Sequence, residues 1–108
     1  MSNLVVWALL GGMILEVLER LGEFELASEV ESERHYHPLV EHVERGLSRL
    51  FAPAGGLSCP ELKRRINEVM ERDPKALYAV VSSLVYDYIG ARRRRRVIRG
   101  TAWRTPLA

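Results

Sequence analysis

The residues with the plainest chemistry in this chain are arginines. Arg92, Arg93, Arg94, Arg95 and Arg96 stand in unbroken succession, and Arg99 and Arg104 follow. A guanidinium is always charged in a protein and presents paired N–H groups that match two oxygens of a carboxylate or phosphate. Like charges held this close repel unless anions meet them, so the run calls for an anionic partner. Just upstream, Lys75, Tyr78, Ser82 and Tyr86 recur at spacings of three and four. That spacing places them on one flank of a helix, with hydrogen-bonding groups and ring faces turned outward.

Other groups that could do chemistry are less well arranged. His35, His37 and His42 lie near Glu41 and Glu44, the one cluster with metal-ligand character. A helix starting at Pro38 would put His37 and Glu41 on one face and turn His42 away, so polar helix surface is expected rather than a zinc site. Cys59 and Ser58 are distant in sequence from all three histidines, and neither a Gly-rich phosphate loop nor a nucleophile elbow is present. The expectation is a binding protein and not an enzyme, with no catalytic residue, no metal and no cofactor. A single cysteine also excludes an internal disulfide and is compatible with a reducing, cytoplasmic setting.

The elements that must position these residues read mainly as helices. Leu57-Ser58-Cys59-Pro60-Glu61 is a helix start, with Ser58 as N-cap and Glu61 completing a capping box. Leu62, Ile66, Val69 and Met70 then mark one apolar face. Asp73-Pro74 restarts the chain. Leu77, Val80, Val81, Leu84 and Tyr88 form the buried side of the next helix, from Lys75 to Tyr88. Gly90 reads as its stop, and residues 97, 98, 101, 103 and 105 suit two short strands turning near Arg99-Gly100. Five consecutive arginines also fit a last helix that simply runs on through Arg96.

Before this region, Leu39, Val43, Leu47, Leu50 and Phe51 recur at helical spacing, and Ala52-Pro53-Ala54-Gly55-Gly56 is a loop of helix breakers. Glu23 to Glu33 is acidic with an ambiguous period, for which a short helix ending before Pro38 is preferred to a strand. Its glutamates form a solvated face or fold against the arginines when no other anion is present. Leu4 to Leu15 is apolar all round. It falls short of the roughly twenty residues a bilayer span needs, and no Lys or Arg precedes it as in a signal peptide. It is therefore read as a buried core helix or, next, a dimerisation helix, with membrane attachment the least favoured reading, and Gly11-Gly12 suggests close packing or a break.

The totals set the frame. A length of 108 residues at 47% hydrophobic composition suffices for one cored domain. Charge is unevenly spread: residues 1–36 carry seven acids against Arg20 and Arg34, whereas residues 91–108 carry seven arginines and no acid. Gln is absent and Arg outnumbers Lys fourteen to two, which points to a thermophile or to a GC-rich genome.

Helix, turn, helix and a basic hairpin ending in Trp103-Arg104-Thr105 resembles the winged helix-turn-helix superfamily of DNA-binding domains, over residues 37–106. The resemblance implies a mainly α fold with a small C-terminal β-hairpin, the wing, and an extra apolar N-terminal helix. Residues 1–36 would be an extension and 37–108 the winged domain. It implies that helix 75–88 enters the major groove through Lys75, Tyr78, Ser82 and Tyr86. Arg92 to Arg96, Arg99 and Arg104 would then touch phosphates. The expected partners are duplex DNA and a second copy docked through residues 4–18, with no membrane. The alternatives are an RNA-binding module and a helical subunit or adaptor of a larger assembly.

Overall fold

Helix-start signals in the sequence translate directly into local structure. The computed structural model describes residues 3–52 and 55–95 in full, together with the backbone of Ser2 and of residues 96–104. The order is α1 (Ser2–Arg20), α2 (Phe24–Glu33), a single 3-10 turn (Arg34–Tyr36), α3 (Pro38–Phe51), α4 (Cys59–Arg72) and α5 (Pro74–Arg104). Ser58 Oγ accepts from the Glu61 N–H at 3.4 Å to cap α4, and Asp73 Oδ1 accepts from the Ala76 N–H at 3.1 Å to cap α5. Pro38 and Pro74 occupy the first positions of α3 and α5, where their missing N–H costs nothing.

The end of α1 is fixed by Gly22. Its φ of +73° lets the Glu23 N–H reach Leu18 O at 2.9 Å and the Gly22 N–H reach Glu19 O at 3.0 Å, the double bond of a Schellman ending. This reverses the chain and brings the acidic helix α2 back alongside α1. Leu26, Ala27 and Val30 of α2 are buried, and Phe24 stays 67% exposed. Arg34, at φ +57° and ψ −128°, breaks α2 in a backbone region that favours glycine.

The apolar first helix is the axis of the molecule. Val6, Leu10, Ile14, Val17 and Leu18 are buried, and α1 touches α2, α3, α4 and α5 alike. The core around it draws Leu39, Val40, Val43 and Leu47 from α3, Leu62 and Ile66 from α4, and Leu77, Val81, Val85 and Ile89 from α5. The helix passes through Gly11-Gly12 unbroken, with the Trp7 indole lying against Gly11. Most of its apolar circumference is thus covered from within one chain, while Leu4, Ala8 and Gly12 stay exposed. Among the described residues, no helix is long and apolar enough to cross a membrane.

The C-terminal hairpin expected from the sequence is not there. Among the described residues there is no strand, so the wing, and with it a winged helix-turn-helix fold, is overturned; α5 continues helically from Pro74 to Arg104. Arginine is a good helix former, Gly90 stays at negative φ and Pro106 lies further on, so nothing in this stretch stops the helix. Thr105, assigned to the second strand, lies outside the described residues. On α5 the buried positions are Leu77, Val81, Val85 and Ile89, with Val80, Leu84 and Tyr88 half-buried.

His37 links fold to pH. It caps α3, its Nδ1 accepting from the Leu39 N–H at 3.0 Å, and is buried to 4% exposure. That bond needs an unprotonated Nδ1. Burial pushes the imidazole below its usual pKa, as does Arg92 weakly, against an opposing pull from Glu33 and Glu29. Below about pH 6.5 the unfolded chain takes up a proton that the folded chain refuses. Stability from this group is therefore complete above that pH and falls as the pH drops toward the lowered value. His37→Asn retains a capping oxygen, so it should remove this acid-side loss without a comparable loss at pH 7.5. Urea midpoints at pH 7.5 and 5.5 for both proteins test it; equal pH dependence would contradict the role of His37.

Candidate functional site

The long last helix carries nearly all the residues singled out by their chemistry. Lys75, Tyr78, Ser82 and Tyr86 do share one flank of α5, but unequally: Lys75 and Tyr86 are exposed, Tyr78 and Ser82 half-buried. The Arg20 guanidinium lies 5.6 Å from the Tyr78 ring centroid, so this ring is already engaged by the end of α1. Arg93 stands two turns beyond Tyr86 and extends the same flank. Arg92, Arg93, Arg94 and Arg95 encircle the helix at its next level. The side chains of Arg96, Arg99 and Arg104 lie outside the described residues.

Two of the arginines meet the acidic helix. Arg92 Nη1 lies 3.2 Å from Glu29 Oε2, and Arg93 Nη2 lies 2.6 Å from Glu23 Oε1. These are the glutamate–arginine contacts that the charge asymmetry allowed for. Both pairs are open to water, with Arg93 69% exposed, so each contributes only about 0–1 kcal/mol. Arg94 and Arg95 are exposed, and among the described residues neither belongs to an ion pair.

On another side of α5, Tyr88, Arg92 and Arg95 follow one another at spacings of four and three and face α3. With Pro38, His42 and Arg45 they line a cleft of about 530 Å³. Tyr88 and His42 give it an aromatic wall: the Tyr88 ring centroid is 5.9 Å from that of His42 and 6.2 Å from that of His37. His42 Nε2 is 3.0 Å from Asp87 Oδ2, yet the approach is misaligned for a hydrogen bond, and this buried nitrogen has no aligned partner. The three histidines therefore go to separate tasks: His35 stacks on Tyr36 at 4.0 Å, His37 caps α3, and His42 faces Asp87. Among the described residues no group of three His, Cys, Asp or Glu side chains is placed to hold a metal ion.

Three cleft residues, His42, Arg45 and Tyr88, were not expected from the sequence to face an anion. The signal was available, since Tyr88, Arg92 and Arg95 fall on one face once α5 is read as continuous. What brings α3 against them is Gly46, where a Cβ would overlap both methyls of Leu84. The absence of that atom lets α3 and α5 approach closely one turn away from the cleft.

No family model matches the chain, and neither a characterised protein nor a solved structure matches it.

Gly46→Ala sets two effects against each other. A mid-helix alanine gains about 1 kcal/mol over glycine, while overpacking costs about 1–3 kcal/mol. Net destabilisation of about 1 kcal/mol is expected by urea unfolding. In a Leu84→Ala background the obstruction is gone, and the same substitution should instead stabilise. The same sign in both backgrounds would show that Leu84 does not set this approach.

Proposed function

We propose that this protein binds nucleic acid, duplex DNA foremost, by its phosphate backbone, as a small regulatory or chromatin-associated protein and not as an enzyme. The observation that carries the reading is the placement of Arg92 to Arg95 on one continuous helix rooted in the core. Two of these cations are held only by carboxylates that water reaches, Glu29 exposed and Glu23 half-buried, and two are unmatched among the described residues. Phosphates two strands deep, repeating along a duplex, are the partner that this arrangement of fixed charge suits best. Lys75 and Tyr86 are exposed along the same helix and extend the contact toward α4.

Base reading along helix 75–88 belongs to this proposal only as a loose preference. The flank offers neither Asn nor Gln for adenine, and no Arg within 75–88 reaches for guanine. A second copy would meet the strip of α1 left uncovered, Leu4, Ala8 and Gly12; the mass in solution decides between monomer and dimer. A cytoplasmic setting fits both a nucleic-acid partner and the lone cysteine. Structured RNA is the nearest rival ligand, and competition against duplex DNA separates the two.

A second reading, a helical adaptor within a larger assembly, draws support from an apolar hollow lined by Leu47, Leu50, Phe51, Val69 and Val80, at which Leu50 is 56% exposed.

Fluorescence anisotropy on a labelled random duplex tests the first reading. Arg93→Ala, Arg94→Ala and Arg95→Ala together should weaken binding by a similar factor for every sequence. The slope of log affinity against log salt should flatten by about 0.9 for each phosphate that is no longer neutralised. Unchanged affinity and slope would overturn it, and an absence of binding at micromolar protein in low salt would favour the adaptor.

A further inference from the structure

We infer that the cleft between α3 and α5 is a binding site for a phosphate monoester carried on a ring, either the phosphorylated end of a nucleic-acid strand or a free mononucleotide. The inference deepens the nucleic-acid reading, with which it shares Arg92 and Arg95, and it fails separately from that reading.

Charge is the first argument. Five groups around the cleft bear on an anion: Arg45, Arg92, Arg95, His42 and Asp87. Glu29 offsets Arg92, and Asp87 faces His42. Arg45 and Arg95 are left as two cations without a carboxylate among the described residues, one from each helix. A monoester carries about −1.5 to −2 at pH 7 and has three terminal oxygens. An internal diester carries one charge and two free oxygens, so it matches only half of this set. Bidentate guanidinium contacts from opposite walls suit the monoester.

Shape is the second. A volume of about 530 Å³ falls in the range of small-molecule sites, about 300–1,000 Å³, and exceeds what phosphate alone would fill. Pro38, Ala91 and the Tyr88 ring supply an apolar surface for a flat group attached to the phosphate. The Tyr88 ring makes edge and tilted contacts with the His37 and His42 imidazoles, which restrict its freedom. Arg92 also borders the hollow lined by Glu23 and Glu25 on its other side, so an anion in the cleft competes with Glu29 for the same guanidinium.

The test uses the whole chain at constant ionic strength, with amide chemical shifts and calorimetry as readouts. The probes are adenosine 5′-monophosphate, its methyl diester and adenosine. The monoester should shift amides of residues 38–45 and 85–95. The diester should bind about tenfold more weakly or worse, as the loss of one charge-assisted hydrogen bond implies. Arg45→Ala and Arg95→Ala, both at exposed positions, should each weaken the monoester about tenfold with unchanged melting. Arg64→Ala on α4 should change nothing.

A 5′-phosphorylated single strand that binds better than its 5′-hydroxyl twin, with the gain lost in Arg45→Ala, identifies the strand end. Monoester binding without such a gain identifies the free nucleotide. Equal binding of monoester and diester, or indifference to both arginine substitutions, overturns the cleft even where duplex binding persists. Monoester binding with no duplex binding overturns the nucleic-acid reading alone.

Discussion

An apolar helix with no polar face has to be covered over most of its circumference, and the rest of this structure follows from how α1 is covered. The chain wraps four helices around it, with Gly22 reversing direction at its end so that α2 begins the wrap. Each fully buried leucine, isoleucine or valine contributes about 1.5–3 kcal/mol, against about 0–1 kcal/mol for an exposed ion pair. The bundle is therefore held by Leu10, Ile14, Leu18 and their neighbours, and not by Arg92 or Arg93. That division leaves the cationic end of α5 free for exchange. Its carboxylate partners, Glu29 on α2 and Glu23 just before it, can be displaced at little cost to the fold.

The same arithmetic explains why an acidic helix sits beside an arginine run in one small protein. Glu23 and Glu29 keep two guanidinium groups from facing each other unscreened, and under the proposed function they would yield to phosphate. On that reading, the acids and a polyanion are alternatives for one set of cations. Arg92 is the shared member, lying between Glu29 and the cleft that Arg45 and Arg95 flank.

How much of this was legible depends on whether the deciding signal is local. Ser58 with Glu61, Asp73 with Pro74, and Pro38 each act within one helical turn, and each starts a helix where the sequence places one. Gly90 failed as a stop because a glycine ends a helix in this way only where the backbone turns to positive φ, and here packing of Ile89 on the core carries the helix past it. The β-branched pair Val97-Ile98 misled for a related reason: strand preference is small beside the continuity of a helix already formed. On α3, Leu50 has the right spacing for burial but is left uncovered, since helical period fixes a face and not what covers it. The cleft needed knowledge that Gly46 admits Leu84, a neighbour 38 residues apart in sequence that no pattern announces. The charge asymmetry between the two ends, by contrast, was readable as a whole although its individual pairs were not.

The central claim is that Glu23 and Glu29 contend with an external polyanion for the same arginines. Duplex affinity of the double variant Glu23→Gln and Glu29→Gln, measured beside the parent chain by anisotropy at one low salt concentration, addresses it most directly. Amides keep the size of the side chains and remove their charge, so the account predicts affinity several-fold above the parent, since up to about 1 kcal/mol of competing attraction is removed at each pair. Affinity equal to or below the parent, with the fold intact, would contradict it.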